Sequence, residues 1–327
     1  MLARGASPGL AVVLGIAMAL APLVVVPSPA IANPVTKARP DGCAPPPDLP
    51  RRLATRSKYD QSIASKSVID VAAEHDRAEE LAPVTSAIRR TAALARAGNP
   101  SEPTATGCAI RTLRHWAATA ALTEMATSDA NLSRDRFTSE IAGMVLSLQA
   151  SGESLAGEPE IREWLATLAR QTMAYYDWKA GPNARRNNHR YVAGVAVADI
   201  GDILGDRTMQ TWAEASFALG ACQIDKDGFL PLELARAERA YEYHLYAYQA
   251  LNRLAHQAAS RGKGALACAA RLDWLHQLVA RGPQSAEDFA RRTGLVQRSP
   301  SRTHLSAAKT APPVTRDRST TSDVKSM

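Results

Sequence analysis

The chain has 327 residues, with 39 Lys and Arg against 32 Asp and Glu, a formal net charge of +7. Its 46% hydrophobic and 22% charged content excludes a wholly disordered chain, its glycine and proline counts exclude a collagenous one, and its four cysteines are too few to found a disulfide scaffold. The basic balance points to an anionic partner, whether nucleic acid, membrane surface or acidic polymer.

In chain order, the first segment reads as an address. Arg4 supplies a positive start, residues 10–26 are almost unbroken apolar, and Ala30-Ile31-Ala32 offers small residues at alternate positions. The run is shorter than the roughly 20 residues a membrane span needs. We therefore expect residues 1–32 to be a signal peptide cleaved after Ala32, with a periplasmic product that needs no membrane. Export argues against a nucleic-acid partner and leaves an acidic polymer. Residues 33–50 are proline-rich and read as an extended arm, residues 51–298 as the folded domain, and residues 299–327, rich in Ser, Thr, Pro and Arg, as a disordered tail.

Between arm and tail the sequence is dominated by Ala, Leu, Arg and Glu, with apolar residues at helical spacing. Helices are predicted over 81–97, 109–127, 136–150, 161–178, 191–204, 208–222, 232–260 and 265–281. Strict two-residue alternation is scarce, so strands are not needed. The expected fold is all-α: antiparallel helical hairpins in a bundle or toroid. In an oxidising compartment the cysteines can pair. Cys43–Cys108 is the favoured pair, tying the arm to a helix; Cys222 and Cys268 serve equally well as a bond or as small buried hydrophobes.

Two segments carry chemistry. Asn183 to Tyr191 packs amides, cations, His189 and Tyr191 between two helices, more than a solvated connection requires. Further on, Arg239, Tyr243 and Tyr246 stand at i, i+4 and i+7, which puts a cation and two phenols on one helical face. A phenol titrates near ~10, so Tyr246 becomes a useful base only if its pKa is depressed, and Arg239 is the expected cause. Asp225-Lys226-Asp227-Gly228 reads as a turn, because the remaining ligands of a calcium loop are missing. The seven histidines show no metal-ligand spacing, and neither a Gly-rich phosphate loop nor a GxSxG elbow is present. No metal and no cofactor are expected.

Taken together, Ser57-Lys58-Tyr59-Asp60-Gln61-Ser62, Arg186-Asn187-Asn188-His189-Arg190-Tyr191, Gln223-Ile224-Asp225 and Gly228-Phe229-Leu230-Pro231 resemble the alginate lyases of polysaccharide lyase family 5. The resemblance continues through Glu233-Leu234, Arg239-Ala240, Tyr243-His244 and Tyr246-Ala247, in order and spacing from about Cys43 to Val296. Two departures stand out: Val192 where members often carry Trp, and Leu232 where they carry Asn.

The resemblance implies an incomplete (α/α) toroid with a deep cleft for an anionic polysaccharide, covered by a lid after Lys58-Tyr59. It implies β-elimination on poly-β-D-mannuronate by a monomeric enzyme, leaving a 4,5-unsaturated uronate. It assigns catalysis to Asn188, His189, Arg239 and Tyr246, and substrate contacts to Lys58, Tyr59, Asn187, Arg190, Tyr191 and Tyr243. Whether His189 or Tyr246 is the base stays open in the sequence. So do a lyase for another acidic glycan and a non-catalytic polyuronate binder.

Overall fold

The computed structural model describes residues 42–97, 103–264 and 266–300. The expected signal peptide with its cleavage site, and nearly all of the expected tail, lie outside the described residues. The arm is described from residue 42 and has neither helix nor strand. It is pinned to the domain by the Cys43–Cys108 disulfide, by Trp116 Nε1 donating to Pro47 O at 2.7 Å, and by the burial of Leu49.

Ten α-helices carry the described chain: α1 (Val71–Ala97), α2 (Pro103–Ala118), α3 (Ser128–Ala150), α4 (Pro159–Ala174), α5 (Asn188–Leu204), α6 (Arg207–Ala221), α7 (Pro231–Leu234), α8 (Ala240–Ser260), α9 (Arg271–Val279) and α10 (Pro283–Thr293). Two two-residue strands, β1 (Arg52–Leu53) and β2 (Glu124–Met125), pair in parallel and only stitch the segment that follows the arm to the turn before α3. Helix starts follow capping chemistry. Thr127 caps α3 by accepting from Ala130 N, and Asp206 caps α6 by accepting from Thr208 N and Met209 N.

The helices pack in sequence as hairpins: α1 against α2 and α3, α3 and α4 against α5, α5 against α6 and α8, and α8 against α9. The fold is the all-α, incomplete (α/α) toroid expected from the sequence. Its centre is α5, where 13 of 17 residues are buried. A helix that is apolar around its whole circumference must be covered on every side. Val197 and Ile200 of α5 join the core made by α1–α4, around Trp116, Phe137 and Leu165; Tyr191, Val195 and Ala198 join the core of α6 and α8–α10. Each fully buried large side chain of this kind contributes roughly 1.5–3 kcal/mol. The approach of α6 to its neighbours is close enough that a Cβ at Gly220 would meet Tyr191 and Leu251 at 2.7 Å.

Several boundaries differ from expectation. Helix α1 starts ten residues early because residues 71–80 bury no side chain fully and so carry no apolar stripe, while Pro83 imitates a helix start. The helix expected over 232–260 is broken: α7 ends at Leu234, Ala237 adopts a left-handed φ of 54°, and a 3₁₀ turn (Ala237–Arg239) leads into α8. Residues 175–179, expected to continue α4, form a π-helical turn, and α10 was not foreseen. The second disulfide is formed, Cys222–Cys268, joining the end of α6 to the turns before α9. Asp225 to Gly228 is a turn: Asp225 Oδ1 accepts from Asp227 N and Phe229 N at 2.9 Å, and Gly228 takes φ 89° with its Cα facing Trp274 O too closely for any Cβ.

Candidate active site

The site is built on the N-terminus of α5. Asn187 is its cap, and its Oδ1 accepts from His189 N at 3.1 Å, which spends that side chain on the backbone. Asn188 turns inward to Glu233 of α7. Its backbone N–H reaches Glu233 Oε1 at 2.7 Å and its Nδ2 reaches Oε2 at 2.9 Å. Glu233 is completely buried, and burial pushes its carboxyl up to about 7 against the opposing pull of those bonds and of Arg236. The turn carrying Glu233 is held in its turn by His244, whose Nε2 accepts from Leu230 N at 2.8 Å while Nδ1 donates to Ala240 O.

His189 is half-buried, and burial together with the nearby Arg236 and Arg77 pulls its pKa down to about 4. It is a neutral imidazole at neutral pH. Arg239 ends the 3₁₀ turn before α8 and pairs with Glu242 at 2.7 Å. Burial opposes its charge, but Tyr59, Glu242, Tyr243 and Tyr246 outweigh that and hold its pKa above the ordinary value. The Nε atoms of Arg236 and Arg239 are buried without a hydrogen-bond partner among the described residues.

The phenols come together above these cations. Tyr243 and Tyr246 meet edge to face at 5.4 Å, and Tyr59 hydrogen-bonds hydroxyl to hydroxyl with Tyr243. The Arg236 guanidinium lies 3.9 Å from the Tyr243 ring centre and 5.2 Å from that of Tyr59. Tyr59 is delivered by a segment that folds back on itself, through Asp60 N to Val68 O and Asp70 N to Lys58 O, both at 3.0 Å; Arg236 donates to Lys66 O of that segment at 3.1 Å. Lys58 pairs with Glu74 of α1 at 3.2 Å. Beside it a groove of about 540 Å³ is lined by Lys58, Arg77, Arg89, Arg90 and Arg136, with Glu74 as its single acid.

Three sequence-based expectations are corrected. Tyr246 is not depressed in pKa but raised: burial favours the neutral phenol, its hydroxyl donates to Glu242 Oε1 at 2.8 Å, and these effects outweigh Arg239. Arg190 and Tyr191 were assigned to substrate, yet both are structural. Arg190, two positions and some 200° round the helix from Asn188, spends its guanidinium on Asp177 at 2.9 Å and Ser216 at 2.8 Å and lies 3.5 Å from the Trp212 ring centre. Tyr191 is 1% exposed, donating to Arg186 O and accepting from Gln223. Asn188, His189, Arg239, Tyr243, Tyr246 and Tyr59 are brought together. Arg236 and Arg77, which join them, received no role from the sequence; Glu242 joins them through its pair with Arg239.

Fold and site define a class: an all-α toroid whose central helix presents an amide and an imidazole to clustered guanidinium groups and phenols. Residues 54–281 match the family model described as alginate lyase. An alginate lyase of Azotobacter vinelandii is 32% identical over 262 residues, covering 74% of this chain and 66% of its own length; the chain thus spans just under two thirds of that relative. Among solved structures, alginate lyase A1-III from Sphingomonas species A1 superposes with a TM-score of 0.61 at 19% identity, covering 81% of this chain and 76% of that one. A variant of A1-III complexed with a tetrasaccharide gives 0.66 at 18% identity, covering 81% and 75%. At those identities the structural likeness is one of fold. The chain belongs to the alginate lyase family.

Proposed function

We propose that the chain is a polysaccharide lyase that cleaves alginate, preferring mannuronate, by β-elimination. The observation that carries this reading is the convergence of Asn188, His189, Arg236, Arg239 and Tyr246 on one cluster. A proton on the carbon next to a carboxylate is hardly acidic, because its removal concentrates charge on that carboxylate. Donors already aimed there stabilise the charge as it grows. Asn188 keeps one side-chain N–H after serving Glu233. A uronate carboxylate at the cluster can accept from it and is balanced by the charges of Arg236 and Arg239, while the neutral His189 helps to hold it.

The raised pKa of Tyr246 means that it meets the substrate as a phenol. Its hydrogen bond to Glu242 provides the way for it to act as base. As the phenol oxygen takes the C5 proton, its own proton passes to Glu242. The C5–H electrons become the C4–C5 double bond, and the C4–O electrons leave with the glycosidic oxygen. Tyr246 then gives a proton to that oxygen and recovers one from Glu242. One residue on one face suffices for mannuronate, which supports that preference. The groove of five cations, Lys58 among them, suits a polymer bearing a carboxylate on every sugar.

We place the protein in the periplasm as a monomer. The leader-like residues 1–32 and two disulfides support export. The test is product analysis by NMR after incubation with mannuronate-rich, guluronate-rich and other acidic polysaccharides. Unsaturated uronate ends from the mannuronate polymer are expected. Such ends from another glycan alone would overturn the assigned substrate, and intact polymer throughout would overturn the lyase.

A further inference from the structure

Glu233 is fully buried, and the reaction as drawn gives it no proton to move. Buried carboxyl groups are costly unless their partners are well placed, so one beneath a reacting centre requires a reason. Both of its oxygens are taken by one residue, Asn188, through a backbone and a side-chain N–H. A carboxylate only accepts hydrogen bonds. It therefore discriminates between the two ends of the Asn188 amide, which are nearly the same in shape and opposite in polarity.

We propose that Glu233 is a positioning residue for the lyase reaction: by accepting both N–H groups it keeps the Asn188 amide nitrogen, rather than its oxygen, in the site, and leaves the second Nδ2–H for a uronate carboxylate. The inference rests on the lyase reading above and names what makes Asn188 a donor. Were the amide to flip, its carbonyl oxygen would face the anion it must bind. The restraint is also titratable. A protonated Glu233 can donate to Asn188 Oδ1 and so stabilises the flipped amide. Facing the acid are Arg236 from the turn after α7, Tyr191 from α5 and, through Leu230, the neutral His244 of α8. Of these, only Arg236 carries charge at neutral pH, and it favours the carboxylate. With its pKa pushed up to about 7, Glu233 changes state within the working range of pH.

The experiment compares kcat and KM across pH 5.5–9 for the wild type and Glu233→Gln on mannuronate polymer, and follows the Asn188 side-chain amide by ¹⁵N NMR. In the wild type, kcat should rise through about pH 7, and the Asn188 amide resonance should shift with the same midpoint. In Glu233→Gln, kcat at high pH should fall roughly 10–100-fold, the usual worth of a residue that orients a reacting group, with KM nearly unchanged. Its acid limb should vanish and its amide resonance stay still. Wild-type kcat with the same acid limb in a folded Glu233→Gln would overturn the inference while leaving the lyase reading intact. A wild type without lyase activity would strike the reading itself. If Glu233→Gln does not fold, the wild-type resonance decides: a shift tracking kcat supports the inference, and no shift overturns it.

Discussion

Tyr176 donates to Asp135 at 2.7 Å, and Tyr246 donates to Glu242 at 2.8 Å, so the molecule holds two tyrosine–carboxylate pairs of nearly the same geometry. Their surroundings differ. Asp135 and Tyr176 are each 1% exposed, and Thr172 completes the acid at 3.1 Å; all three belong to α3, α4 and the π-helical turn that follows. Around Tyr246, half-buried, the partners arrive from three segments: Tyr59 from the stretch before α1, Arg239 from the 3₁₀ turn, and Glu242 and Tyr243 from α8. A phenol on a carboxylate is thus not a site by itself. Access separates the chemical pair from the structural one, since cations attend both, Arg134 and Arg190 beside the buried pair and Arg239 beside the half-buried one.

The comparison breaks most sharply at the two hydroxyls. Tyr246→Phe removes an oxygen and no packing volume. Turnover should fall roughly 10²–10⁴-fold, the range for a positioned acid–base group, while the melting temperature holds. Tyr176→Phe should do the reverse, leaving turnover intact and costing about 1–3 kcal/mol in denaturant unfolding, since a buried acid loses its donor. If both variants lose turnover equally, the two pairs are not distinct in role.

The next largest effect concerns the cations. Arg239→Ala should lower kcat by roughly 10²–10³-fold, because its donors meet charge that grows in the transition state. Lys58→Ala should mainly raise KM, since Lys58 stands at the edge of the groove, paired with Glu74. Steady-state kinetics on mannuronate polymer separates the two; a kcat loss for Lys58→Ala matching that of Arg239→Ala would erase the distinction.

The smallest effect is on stability against pH. His244 has its pKa lowered from 6.5 to about 4 by burial. Between those values the unfolded chain binds a proton that the folded chain does not, so stability falls as pH drops through that window. Asp135, raised from 3.8 to about 6 by burial, acts oppositely: folded chain keeps a proton that the unfolded chain has lost, so stability falls as pH rises through its window. His189 adds to the first tendency and Glu233 to the second. The wild type should therefore change little in melting temperature between pH 4 and 6.5, whereas Asp135→Asn should lose stability as the pH falls. Equal curves for the two proteins would show that Asp135 is not held protonated.

Much of this was legible in the sequence, for physical reasons. Apolar content in 191–204 and 208–222 located α5 and α6 within a few residues: α6 carries a buried stripe, and α5 is apolar all round because it is covered on every side. The Asn188-His189 motif and the Arg239–Tyr246 spacing marked residues that the fold brings together. Arg236 was missed although it stands three residues before Arg239 and seven before Tyr243, the spacing of one helical face, and its guanidinium does meet the Tyr243 ring. What spacing could not supply is its contact with Tyr59, which a distant segment delivers. Glu233 and Glu242 were hidden differently: their roles depend on which partner each meets, Asn188 across 45 residues in one case and Tyr246 one helical turn on in the other. Adjacency misled for Arg190, since neighbours in a motif lie on different faces of a helix.

The central claim is that the Tyr246–Glu242 pair, with Asn188, Arg236 and Arg239 around it, eliminates across the C4–C5 bond of a mannuronate residue. The most direct measurement is the ultraviolet absorbance of the conjugated unsaturated uronate during incubation of the purified, metal-free chain with mannuronate polymer. The account predicts absorbance that grows with time and enzyme concentration, and that Tyr246→Phe nearly abolishes. Absorbance that never rises although the chain binds the polymer, or that rises equally with Tyr246→Phe, would contradict it.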